Sequence, residues 1–125
     1  MSSPKFERVK RRNPRLAEML DRLGAYIRAQ NSAGQKFILP KLAAAKLGLS
    51  DGEAFVLLEI LASEDILHRV YNLYCRETKV LLATVDDARC LDKVPWCDEC
   101  DAEHDLRDLR VEVAFVPRDG VLAAA

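Results

Sequence analysis

The sequence contains no run of about 18 apolar residues, the length a helix needs to span a bilayer. Behind Met1-Ser2-Ser3-Pro4-Lys5 there is no apolar core of the kind a signal peptide carries. A Ser-His-Asp set, a phosphate-cradling glycine loop and an H-E-x-x-H helix are also missing, as is any internal repeat. These absences argue against a membrane-spanning protein, a secreted one and an enzyme. The expectation is a cytoplasmic, non-enzymatic protein in a reducing compartment, where clustered cysteines favour metal over disulfide.

What is present is enough for folding. In 125 residues, half are hydrophobic and 31% charged, a globular rather than a disordered composition. That length accommodates one domain with a modest core, or a small domain with a metal-stapled appendage. The formal net charge of −1 conceals a division. Residues 1–50 hold eleven Lys/Arg against three Asp/Glu, or +8, whereas residues 51–125 hold eight against seventeen, or −9. Such asymmetry fits an acidic partner for the first part, a basic partner for the second, docking of one half on the other, or two solvated faces.

The chemistry is concentrated between Cys75 and His104. All four cysteines, Cys75, Cys90, Cys97 and Cys100, fall in this stretch with one of the two histidines. Cys97-Asp98-Glu99-Cys100 is a C-x-x-C turn, which lets two thiolates converge on one ion, and tetrahedral Zn²⁺ then needs two further S or N ligands. Cys75 supplies one. Cys90 is preferred for the other because it gives four thiolates, with His104 as its competitor through the C-x2-C-x3-H spacing. Cys75 is followed by Arg76, Glu77 and Thr78, so a second C-x-x-C is missing. A redox pair at Trp96-Cys97-Asp98-Glu99-Cys100 is disfavoured because Asp98, Glu99, Asp101 and Glu103 oppose a thiolate. A zinc deaminase is excluded because Pro95 is separated from Cys97 and His68-Arg69-Val70 lacks the Glu.

Along the chain, residues 1–12 read as a basic flexible arm. Asn13-Pro14 opens a helix whose Leu16, Met19, Leu20, Leu23 and Ile27 make one apolar stripe. Lys36–Leu39 is short and extended, followed by a compact helix closed by Gly48. Ser50-Asp51-Gly52-Glu53 is a capping box opening a helix to about Glu64, with Ala54, Leu57, Leu58 and Leu61 on its buried face. Residues 69–75 and 79–85 read as a hairpin, residues 86–96 as irregular, residues 111–116 as a final strand and residues 117–125 as a frayed tail.

Leu42-Ala43-Ala44-Ala45-Lys46-Leu47-Gly48-Leu49-Ser50 resembles the turn of a helix-turn-helix, and the order of elements over residues 13–85 resembles a winged helix. Residues 75–116 resemble a zinc ribbon. The resemblance implies an α+β fold of three helices and a β-hairpin with a zinc-ribbon-like appendage. It departs from DNA-binding winged helices at the second helix of the motif, since Ser50 to Leu67 contains no Lys or Arg and does contain Asp51, Glu53, Glu59, Glu64 and Asp65. Phosphates would repel such a helix. The expected function is therefore an adaptor or accessory subunit that binds another protein, such as a larger effector, or itself. The alternative is a nucleic-acid-binding regulator acting through Lys5, Arg8, Lys10, Arg11, Arg12, Arg15, Arg22 and Arg28.

Overall fold

The computed structural model describes residues 3–86, 96–104 and 106–118. The chain is α+β and divides into two compact units, Met1–Arg69 with Phe115–Ala125, and Val70–Ala114. The cut falls inside a strand at residue 69, whereas the sequence reading has residues 75–85 shared between the winged-helix part and the zinc-ribbon-like part.

The first unit begins with a helix where a flexible arm was expected. Helix α1 spans Pro4–Arg12. Ser3 caps it by accepting from the Phe6 N–H at 3.2 Å, Pro4 occupies the position where a missing N–H costs nothing, and Lys10, Arg11 and Arg12 place positive charge in the last turn. The flexible-arm reading fails because Phe6 and Val9, two apolar residues three apart, share one face and are buried to 1% and 0% exposure. Asn13 does not cap the following helix with its side chain; its Nδ2 donates to Val9 O at 2.9 Å and closes α1. A 3₁₀ turn, Pro14–Leu16, intervenes before α2, Ala17–Ser32.

The buried face of α2 carries Leu20, Leu23, Gly24 and Ile27. Gly24 is small for a reason: a β-carbon there would lie 2.8 Å from Cζ of Phe6, so the ring of α1 lies against the bare backbone of α2. Helix α3, Pro40–Leu47, stops at Gly48, whose φ of +71° is a left-handed conformation that a side chain disfavours. Helix α4, Asp51–Ser63, follows. Its predicted capping box is present, with Glu53 N–H to Ser50 Oγ at 3.1 Å and Ser50 N–H to Glu53 Oε1 at 3.0 Å. Ala54, Leu57, Leu58 and Leu61 are its buried residues, and α3 packs on α4. Ile38 bridges Phe115 in antiparallel fashion, and Phe55 meets the Phe115 ring edge-on at 6.0 Å between centroids. The unit has four helices, one more than the sequence reading gave.

The second unit is built on strands β1, Leu67–Cys75, β2, Leu81–Val85, β3, Trp96–Cys97, β4, Ala102–Glu103, and β5, Leu109–Pro117. Strands β1 and β5 also contribute their outer ends to the first unit. The hairpin of β1 and β2 is antiparallel, with Tyr71 opposite Val85 and an irregularity between Leu73 and Tyr74. Its turn is tight: Lys79 N–H donates to Cys75 O at 2.8 Å and Cys75 N–H to Val80 O at 3.0 Å. β5 lies on the other side of β1, giving the order β2-β1-β5, while β3 and β4 form a separate small hairpin. Residues 87–95 and 119–125, which include Cys90, most of the segment expected to be irregular and most of the expected frayed tail, lie outside the described residues.

Candidate metal centre

Three segments of the second unit converge on one point. Cys75 ends β1, Cys97 ends β3, Cys100 follows in the turn to β4, and His104 comes directly after β4. Their three sulfurs and one imidazole nitrogen all lie within 4.8 Å of one another. Cys75 Sγ is 3.7 Å from Cys100 Sγ and 3.5 Å from His104 Nε2. Cys75, Cys97 and His104 are buried, at 1%, 0% and 8% exposure, so the donors face each other and not solvent.

Local sequence makes this convergence. The pairing of β3 with β4, with Trp96 opposite Glu103 and Cys97 opposite Ala102, brings His104 back beside Cys97. The turn between them closes with Asp101 at a φ of +52°, a left-handed position that Asp tolerates better than most residues. The Cys75 turn is the same device with one donor exchanged. In Cys75-Arg76-Glu77-Thr78 the fourth residue is Thr where a second cysteine is missing, and its N–H points at Cys75 Sγ at 3.5 Å. The turn is retained and the thiolate is not. His104 supplies the donor that Thr78 lacks.

The four donors strongly perturb one another's protonation. The Thr78 hydroxyl and amide hold the Cys75 thiol down at about 6. The Cys100 amide lowers that of Cys97. Hydrogen bonding with Cys75 then pushes Cys100 up to about 12, while Cys97 and Cys75 raise His104. Crowded groups of one sign cannot all ionise, so one sulfur keeps its proton. A cation at the centre would allow all to ionise. On the far side of the imidazole, Asp108 Oδ2 lies 3.9 Å from Nδ1. Nε2 thus faces the sulfurs and Nδ1 a carboxylate, the division of roles found in metal-ligating histidines.

The structure therefore gathers Cys75, Cys97, Cys100 and His104 into a cluster that can bind a metal ion. Cys90 is outside the described residues, and four donors are assembled without it. Sequence reasoning missed Thr78 and Asp108. The signal for the first was the interrupted C-x-x-C at Cys75, and for the second the four-residue spacing from His104.

The cations named above for a nucleic-acid partner are placed differently. Lys10 bonds Asp21 at 2.7 Å and Glu7 at 3.1 Å, and the Asp21 bond raises its pKa. Arg8 and Arg12 both pair with Glu64. Arg22 donates to Leu47 O at 3.3 Å. Half of the eight are thus engaged within the first unit, while Lys5, Arg11, Arg15 and Arg28 have no ion pair among the described residues.

Comparison with known proteins finds no matching family model, no matching curated protein and no matching solved structure. No helix among the described residues is long and apolar enough to cross a membrane.

Proposed function

We propose that this chain is a non-enzymatic interaction adaptor, a winged helix joined to a small β unit that a structural zinc ion holds together through Cys75, Cys97, Cys100 and His104. One observation carries the zinc. With Zn–S of about 2.3 Å and Zn–N of about 2.05 Å, a regular tetrahedron has S···S edges of about 3.8 Å and S···N edges of about 3.6 Å. Two of the six edges, Cys75–Cys100 and Cys75–His104, measure 3.7 and 3.5 Å, and all four donor atoms lie within 4.8 Å of one another. Thiolate and imidazole donors in a tetrahedron favour zinc over Mg²⁺ or Ca²⁺, which take oxygen. Four protein donors complete the coordination sphere and leave no position for water or substrate, which supports a structural role.

The adaptor reading is supported by the helix pair α3 and α4. Gly48 in the left-handed conformation followed by the Ser50 capping box resembles the turn of a helix-turn-helix and supports this reading. The start of α4 exposes Asp51 and Glu53, and Leu42 and Val56 stand 57% and 55% exposed on α3 and α4. Acidic and apolar side chains at these positions suit a basic protein surface better than duplex phosphate.

Chelation tests the structural role of the ion. A structural zinc ion supplies more free energy than a domain of this size holds in reserve. Removing it must release amide hydrogens of residues 70–75 and 96–104 to fast exchange while α2 and α4 stay protected. Unchanged protection in the β unit after complete metal removal overturns the structural role. Cobalt substitution gives a second readout, since a closed S₃N tetrahedron and an open site differ in their visible spectra.

A further inference from the structure

Beside the cluster the second unit has a feature that the zinc reading does not use. Among the described residues, Cys75, Arg76, Lys79 and Arg110 line an open cleft of about 380 Å³. Three of these four are cations and none is a carboxylate. The volume is within the range of small-ligand sites, roughly 300–1,000 Å³.

The cations are held from behind. Arg76 Nε donates to Leu109 O at 2.9 Å, which fixes its side chain against β5. The Arg110 guanidinium lies 4.6 Å from the centroid of the Tyr74 ring. Its Nη1 donates to Glu112 Oε2 at 3.4 Å, and Glu112 Oε1 in turn accepts from the Tyr74 hydroxyl at 3.2 Å. Lys79 sits at a φ of +62°, pinned by its N–H bond to Cys75 O at 2.8 Å. Each guanidinium spends one donor on these contacts and keeps the rest of its five. Stacking, a backbone carbonyl and a tight turn therefore pre-position positive charge around a concave space, which lowers the ordering cost of binding.

We propose that this cleft is a phosphate-binding site, taking the phosphate group of a small anionic ligand on Arg76, Lys79 and Arg110. A guanidinium fork matches two oxygens of one phosphate, and a lysine serves as a point charge for a third. A dianionic group with several acceptor oxygens answers three cations better than a single carboxylate. The cleft and its supports carry this site, and Cys75 is the one lining residue it shares with the metal cluster. Because the cations are solvent-exposed, the affinity is modest and salt-dependent.

The test titrates the full-length, metal-replete protein with inorganic phosphate and, separately, with a nucleoside monophosphate, at constant ionic strength, following backbone amides by NMR. Saturable shifts of residues 75–80 and 109–112 are expected, with a Kd on the order of 1 mM for the free anion. The nucleotide arm identifies the source: shifts in the same amides at lower concentration mark a nucleotide ligand, and equal affinity marks phosphate alone. Lys79→Asn, which tolerates the left-handed turn, and Arg110→Gln should each weaken binding by about fivefold to tenfold, as loss of one charge-assisted contact does. Metal content and melting temperature of both variants should stay at wild-type values, which separates this test from that of the zinc site. No saturable shift up to about 20 mM phosphate, some twentyfold above the expected Kd, overturns the proposal. So does undiminished binding by the folded Arg76→Gln/Lys79→Asn/Arg110→Gln protein.

Discussion

Cys75 Sγ and His104 Nε2 lie 3.5 Å apart although 29 residues separate them along the chain. No helix or hairpin register forces that approach alone: one residue ends β1 and the other follows β4. Their proximity is what an ion between them requires. Substitution of His104 by Ala is accordingly expected to reduce zinc content by more than half, and Cys90→Ser to leave it unchanged, both measured by elemental analysis of purified protein. The reverse pattern, metal lost with Cys90→Ser and kept with His104→Ala, restores the four-cysteine set.

Metal binding should release protons in a number that reports on the site before the ion arrives. In the assembled cluster Cys75 has a pKa of about 6 and is mostly thiolate at neutral pH, whereas Cys100 at about 12 holds its proton and His104 is raised. Fewer protons then leave at pH 7 than the nearly three expected from ordinary thiols of pKa about 8.5 in an unfolded segment. Calorimetric titration in buffers of different ionisation heat counts them. The sign for acidity follows. Bound metal depresses every ligand pKa, so the stability it gives is present at neutral pH and is lost as pH falls and the ligands take protons. Metal affinity should fall as pH drops below neutral, His104 taking its proton first because its pKa is raised and Cys75 following at about 6. Affinity independent of pH between 7 and about 5 contradicts thiolate and imidazole ligation.

Helix α1 is part of the core and not an appendage. Phe6 is 1% exposed and lies on Gly24. Phe6→Ala should cost about 3–5 kcal/mol of stability, the range for emptying a buried aromatic site, and Gly24→Ala about 1–3 kcal/mol through overpacking against the ring. Denaturant unfolding followed by helical circular dichroism measures both. Losses under about 0.5 kcal/mol for either variant return residues 1–12 to a solvated arm.

Duplex DNA should bind no tighter than about 1 µM at physiological salt, the level of non-specific contact, because Arg8, Lys10, Arg12 and Arg22 are engaged within the first unit. Glu53→Gln with Glu59→Gln should leave that affinity unchanged or slightly higher. A fluorescence-anisotropy titration showing nanomolar binding that is lost on deleting residues 1–12 reverses the choice between adaptor and regulator.

Much of the helical part could be read from the chain because its signals are local. Ser50 and Glu53 cap α4 through neighbouring backbone, Gly48 ends α3 through its own φ, and Ala54, Leu57, Leu58 and Leu61 announce one face. Helix α1 was missed because its only apolar residues are Phe6 and Val9, and the burial that stabilises them depends on Gly24, eighteen residues beyond Phe6. At the metal cluster, Cys97 and Cys100 were legible from spacing alone. The fourth donor was legible only as a choice, since counting cysteines favours Cys90 and the C-x2-C-x3-H spacing offers His104, while the β3–β4 pairing that returns His104 involves only two residues on each strand. Thr78 was read as a missing ligand; its role as an amide donor to Cys75 depends on a turn that spacing does not reveal.

The most direct test of the central claim is the zinc content of wild-type protein purified without added metal or chelator, measured together with that of Cys97→Ser. About one equivalent is expected in the wild type, one ion for one tetrahedral set of donors, and a large loss in the variant accompanied by unfolding of residues 70–75 and 96–104 but not of α2 and α4. Less than about half an equivalent in wild type, or a Cys97→Ser protein that retains its zinc, contradicts a site built from these four donors.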